Sequence, residues 1–181
     1  MDLASIRATG GDLSGAAEAM YPPLEAAISG DGGNLAAIAL TKYNTLCRFL
    51  GDADMPRFNR YPQDLPSDIR VTLMSTGDDS SFLSLRLMVM EPGFECTTDS
   101  SPSPYGGRVI GENGVREYLI RHAVPGIYQI NCSSAQPATV RAVIHTHWGQ
   151  KDQQTKVVTL WLEPGRTTLV GEVEYEFQPG P

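Results

Sequence analysis

The sequence predicts an α+β fold that is mainly β: an antiparallel β-sandwich of about eight strands preceded by an N-terminal helical hairpin. Three observations carry this expectation. Apolar residues recur at helical spacing only in the first third of the chain. From Asp68 onward, short apolar/polar alternations separated by turn residues follow one another closely, as in a sandwich and unlike strand-helix-strand units. The segment Ala123-Val124-Pro125-Gly126-Ile127-Tyr128 places a turn, with φ fixed at proline and free at glycine, directly before a strand.

The N-terminal segment, residues 1–51, begins with Asp12 or Ser14 as the cap of a helix carrying Leu13, Ala16, Ala17 and Met20. Pro22-Pro23 is expected to end or restart it before Leu24, Ala27 and Ile28 continue the stripe. Asp31-Gly32-Gly33 makes a turn and Asn34 caps a second helix, in which Leu35, Ile38, Ala39, Leu46, Phe49 and Leu50 recur until Gly51. Residues 52–67 form a linker. Its Pro56, Pro62 and Pro66 preclude a helix, and Phe58-Asn59-Arg60-Tyr61 suits extended chain laid across a surface.

Residues 68–178 are the sandwich, with strands expected at 69–74, 82–90, 105–110, 116–121, 127–133, 139–148, 155–162 and 167–177. In the first, Ile69, Val71 and Leu73 point one way and Arg70 and Thr72 the other, so one face is expected to be core. Residues 97–104, rich in Ser and Pro, are a loop expected to be mobile.

At 181 residues and 41% hydrophobic composition the chain holds one ordinary domain with an appendage. A formal net charge of −7 and the absence of any Lys/Arg run argue against nucleic acid and anionic membrane surfaces as partners. No apolar stretch approaches the roughly 20 residues that span a bilayer. Residues 1–7 lack the charged start and apolar core of a secretion signal, so the chain as given is expected in the cytoplasm. One trimmed of its signal would read the same and be periplasmic or secreted.

His145 and His147 stand two apart on an expected strand and so share a face, the sharpest candidate for a metal site, with His122 or Asp152 to be supplied by folding. The competing reading is a solvated polar face shared with Arg141. Asp78-Asp79-Ser80-Ser81 looks like half a calcium loop but lacks a closing Glu, so a solvated turn is favoured. The three cysteines, Cys47, Cys96 and Cys132, form no CxxC motif. They read as reduced buried thiols, with a Cys96–Cys132 bridge as the alternative and no neighbour to activate a nucleophile. No Gly-x-Ser-x-Gly elbow is present, and Gly106-Gly107 reads as turn or bulge glycine without the lysine of a phosphate loop. No cofactor is implied. Trp148 and Trp161 are core, edge or partner anchors.

Residues 68–177 resemble the bacterial YfaP-like domain, an uncharacterised β-rich family that also occurs at the C-terminal end of proteins with VIT and von Willebrand type A domains. The resemblance rests on Leu65-Pro66-Ser67-Asp68-Ile69-Arg70-Val71, on Val89-Met90-Glu91-Pro92 with Cys96 after it, on Gly106-Gly107-Arg108 and on Glu117-Tyr118. Ala123-Val124-Pro125-Gly126-Ile127-Tyr128 and Thr146-His147-Trp148-Gly149 complete it. The helix at 35–50, with Asn44, is similar to the segment that precedes this domain in the longer proteins. The family usually has aspartates where this chain has Ser84 and Arg86, and asparagine in place of His147, which argues against a cation site carried over from it. It implies no enzymatic activity.

The resulting expectation is a non-catalytic protein–protein interaction module of a bacterial multi-protein system, with Trp148, Arg141 and Tyr105 as candidate partner-binding residues. Two alternatives stand beside it. One is a metal-dependent binding protein or enzyme using His145 and His147; the other is a carbohydrate-binding sandwich using Tyr105, Tyr118 and the two tryptophans.

Overall fold

The computed structural model describes residues 12–29, 39, 40, 43, 66–76, 84–112 and 114–176. The chain divides into two units, Met1–Leu65 and Pro66–Pro181.

In the first unit, helix α1 spans Leu13–Ser29. Asp12 is its cap: the carboxylate Oδ1 accepts from the Gly15 amide at 2.9 Å and its carbonyl from Ala16 at 3.0 Å. The helix runs through Pro22-Pro23 instead of ending there. Proline removes an amide donor but holds φ near the helical value. The cost is offset by packing on both sides of the pair, since Ala16, Ala17, Met20 and Leu24 share one buried cluster with Ala39, Leu40 and Tyr43. Residues 39, 40 and 43 are helical, within the segment expected as a second helix. The rest of that segment, including Cys47, lies outside the described residues, as do the linker up to residue 65 and the Asp78-Asp79 turn. Among the described residues no helix is long and apolar enough to cross a membrane.

The second unit is a β-sandwich. Its strands are β1 Ser67–Ser75, β2 Arg86–Glu91, β3 Phe94–Cys96, β4 Arg108–Glu112, β5 Val115–Ile120, β6 Gly126–Ser133, β7 Ala138–Trp148, β8 Gln154–Leu162 and β9 Thr168–Tyr175. All eight expected strands are present, with ends moved by a few residues. The short β3 was not anticipated, because three residues are too few to show an alternation. One sheet has the order β4-β5-β1-β7-β8, the other β3-β2-β6-β9, and every pairing within them is antiparallel.

The core lies between the sheets. Val71 sits between Tyr118 of β5 and Ile144 of β7, and with Ile69, Leu73, Leu87, Val89 and Ile130 it is buried from water. The Pro125-Gly126 turn is tied down by Tyr128, whose hydroxyl accepts from the Val124 amide and donates to the Val124 carbonyl, both at 3.0 Å. Gly126, at φ +142°, packs so tightly on Pro92 that a Cβ there would meet the proline ring at 2.6 Å.

One expectation fails at β1. Arg70 and Thr72, on the face opposite Ile69, Val71 and Leu73, are as buried as the core, at 1% and 0% exposure. Burial of these polar groups is offset by the contacts they make with one another. Arg70 Nη2 donates to Glu117 Oε1 at 2.9 Å and Oε2 at 3.0 Å, and Thr72 donates to Oε2 at 3.1 Å. At its centre this sheet is buried on both faces.

Candidate functional site

Three of the four sheet ends limit pairing, each in its own way. β3 is three residues long, β4 five with Gly111 at φ +142°, and β9 carries a register shift opposite Ile130/Asn131 together with Glu172 and Glu174. β8 is longer and has neither a register shift nor a positive-φ residue. Its β-branched run Val157-Val158-Thr159 pairs with β7 without a register shift from Ala138↔Leu162 to Thr146↔Gln154. It spans nine residues, contains no proline, carries Lys156 as its one charge, and ends its sheet with β7 as its partner among the described strands. Period-two alternation sets Thr155, Val157, Thr159 and Trp161 on the outer face beside His145, Val143, Arg141 and Thr139. Val157 is 40% exposed and Trp161 61%.

Beside this edge a groove of about 790 Å³ opens between the sheets. Ile144, Thr146 and His147 line it from β7, Gln154, Thr155 and Lys156 from β8, and residues 172–176 from β9 and the residue after it. Val173 is the buried partner of Tyr128, whereas Glu172 and Glu174 pair with the exposed Gln129 and Ile127, so their side chains turn to the outer face of that sheet and Lys156 is the charge on the inner side of β8. His147 Nδ1 is 3.6 Å from Asp152 Oδ2, and its ring centroid is 5.8 Å from that of Tyr175. Burial, followed by the Asp68 carboxylate, pushes the Tyr175 hydroxyl up to about 12, so it stays neutral.

The expected histidine pair is separated. Residues two apart share a face only while the backbone stays extended, and His147 has φ +52°, in the left-handed region. His145 Nδ1 therefore lies 2.9 Å from Thr155 Oγ1 and its ring 4.3 Å from Trp148, whereas His147 turns to Asp152 and Tyr175. His122 is exposed just after β5. Among the described residues no group of three or more His, Cys, Asp or Glu side chains gathers as metal ligands.

Trp148 is not the surface anchor expected of it. It is 6% exposed, packed on His145 with the Arg70 guanidinium 5.0 Å from its ring centroid. Arg141 is half-buried opposite Thr159 of β8, so it belongs with Trp161 and Val157. Tyr105, 38% exposed, lies apart from them in the loop before β4, its hydroxyl donating to the Pro92 carbonyl at 2.8 Å. The sequence signal that separates the tryptophans is alternation: Trp161 continues the Thr155, Val157, Thr159 series, while Trp148 abuts a glycine turn.

Several short motifs meet in a buried cluster. Tyr118 donates to Glu91 Oε1 at 2.8 Å, Cys96 Sγ to the Gly107 carbonyl at 3.4 Å, and Gly107 N to Ser103 Oγ at 2.9 Å. Cys96 and Cys132 are free thiols, so they form no bridge with each other. Burial, then the Glu91 charge, pushes the Cys96 thiol up to about 11, and burial pushes Cys132 to about 12. This is the reverse of an activated nucleophile. Burial also raises the Tyr118 hydroxyl far above its ordinary value and Tyr128 to about 12.

Stability is therefore expected to fall as pH rises past 9. Above the unfolded thiol value of 9.0 the unfolded chain releases protons that the folded chain keeps, which favours unfolding until the folded value is passed. For Cys132 the window runs from 9.0 to about 12, with a limiting slope of about 1.4 kcal/mol per pH unit. Urea midpoints measured across that window check it; a flat profile would contradict the burial of these groups.

No protein-family model matches the chain, and neither the curated proteins nor the solved structures contain a match to it.

Proposed function

We propose that this protein is a non-catalytic protein–protein interaction module that takes an extended segment of its partner along the open edge β8. The observation that carries this reading is a nine-residue edge without bulge or proline, flanked on its outer face by exposed Val157 and Trp161. A free strand edge presents unpaired amides and carbonyls that a second strand can complete, and an exposed tryptophan beside it supplies an apolar anchor. The resemblance to the YfaP-like family, which occurs together with von Willebrand type A domains in bacterial proteins, supports a role within a multi-protein system.

The test is capture of partners from source-cell lysate by the tagged protein and by a Trp161→Glu/Val157→Lys variant. Both positions are exposed, so the melting temperature is expected to stay close to wild type. Recovery of the specific partner is expected to drop by about tenfold or more, the scale of losing one anchor residue. Equal recovery by both proteins would overturn the assignment to β8.

A further inference from the structure

The geometry points to a second docking surface, the outer face of the β3-β2-β6-β9 sheet, whose occupant is an amphipathic helix with Lys and Arg on both sides of its apolar stripe. It is independent of the reading of β8, which ends the other sheet. Alternation puts Val89, Tyr128 and Val173 into the core and turns Met90, Gln129 and Glu172 outward. On this outer face Met90 is 36% exposed, Ile127 54% and Leu169 53%. Half of the large apolar side chains exposed among the described residues thus stand together here, the mark of a contact surface.

The register fixes how charge lies around that apolar surface. From β3 to β9, Glu95 stands opposite Met90, Met90 opposite Gln129, and Gln129 opposite Glu172, with Glu174 further along β9 opposite Ile127. Exposed carboxylates therefore edge the strip on both sides, while Met88, Met90 and Ile127 lie on the two strands between. Three strand spacings, about 14 Å, separate β3 from β9, room for a helix about 10–12 Å across lying along β2 and β6. An added strand has no place there, because β2 and β6 are each paired on both edges and present side chains alone. The central Gln129 donates its amide to Glu172 at 2.9 Å, so a helix covers it without orphaning that donor. Arg86 is the one basic residue in these four strands, and the net charge of −7 adds a field of the same sign as the carboxylates. An acidic helix or a second copy of this face is repelled and a basic helix drawn in. Helix α1 of a second copy does not fit, since it carries two Glu and no Lys or Arg, so the occupant is another protein.

The experiment uses three fluorescently labelled peptides about 18 residues long: a helix with a Leu stripe flanked by Lys, the same stripe flanked by Glu, and the Leu-Lys composition scrambled so that no stripe forms. Each is titrated with the full chain at about 50 mM and about 500 mM salt and followed by anisotropy. The Lys-flanked helix is expected to bind about tenfold or more tighter than either of the others, and its lead over the Glu-flanked helix to shrink in high salt. Combined Glu95→Gln, Glu172→Gln and Glu174→Gln should weaken it by about tenfold, and so should Met90→Ser/Ile127→Ser. All five positions are exposed, so melting temperatures should stay close to wild type. A control with as many exposed charges removed elsewhere, Asp99→Asn/Asp152→Asn/Glu163→Gln, and the β8 variant Trp161→Glu/Val157→Lys should both keep wild-type affinity within about twofold.

Equal binding of the Lys- and Glu-flanked helices would overturn the basic specificity, and equal binding of the scrambled peptide would overturn the helix. An equal loss in the charge control would reduce the effect to general attraction by an acidic protein, and a loss confined to the β8 variant would move the peptide to that edge; either overturns this face as the site. So would no binding by any peptide, or self-association of the full chain that Met90→Ser/Ile127→Ser abolishes, since the face would then be occupied by a second copy. None of these outcomes bears on partner capture by β8, which the Trp161→Glu/Val157→Lys comparison tests separately.

Discussion

Glu117→Ala is expected to destabilise the protein by about 3–5 kcal/mol, read as a lower urea midpoint with little change in slope. Glu117 and Arg70 are each 1% exposed, and one guanidinium nitrogen reaches both carboxylate oxygens at 2.9 and 3.0 Å. Removing the carboxylate leaves the guanidinium buried beside the Trp148 ring and takes away the acceptor of the Thr72 hydroxyl. The cost arises from the charge left behind more than from the attraction lost. The joint replacement Arg70→Met/Glu117→Leu is accordingly expected to lie much closer to wild type than the single variant. A cost below about 1 kcal/mol for Glu117→Ala would mean that the pair is solvated, since that is the range of exposed ion pairs.

Gly107→Ala is expected to cost about 2–4 kcal/mol, from overpacking together with a disturbed hydrogen bond to a buried carboxylate. A Cβ at Gly107 would overlap Glu91 Oε1 and lie 2.9 Å from the Tyr118 hydroxyl. Glu91 is 3% exposed and holds the Tyr118 hydroxyl at 2.8 Å, so it cannot yield without breaking that bond. Gly106→Ala separates space from backbone conformation. Its Cβ would meet nothing within 4 Å, and its cost reflects only φ +85°, about 1–2 kcal/mol. The melting or urea series should also show coupling: Tyr118→Phe added to Gly107→Ala is expected to cost less than it does alone, because the bond it removes is already disturbed. Strict additivity would place the Gly107 effect elsewhere.

The sandwich was legible in the sequence because alternation is local. Ile69, Val71 and Leu73 declare a buried face within five residues, and Pro125-Gly126 declares the turn before β6, whatever the rest of the chain does. The candidate site was legible only in part. Arg141 was picked out, yet it lies beside Trp161 rather than Trp148, since neighbours across a sheet depend on strand order. The histidine pair failed at a single dihedral, the positive φ of His147, which no spacing rule encodes.

By itself the sequence determined the fold class and the placing of the strands and narrowed the helix cap to Asp12 or Ser14, all of which follow from interactions among near neighbours along the chain. Tertiary structure alone decided that Arg70 is buried, that Cys96 and Cys132 stay free, that Glu91 and Gly107 meet, and that β8 ends its sheet beside a groove. Arg70 and Glu117 are 47 positions apart. Burial and pairing at that separation depend on which strands come together, and local pattern holds no record of that choice.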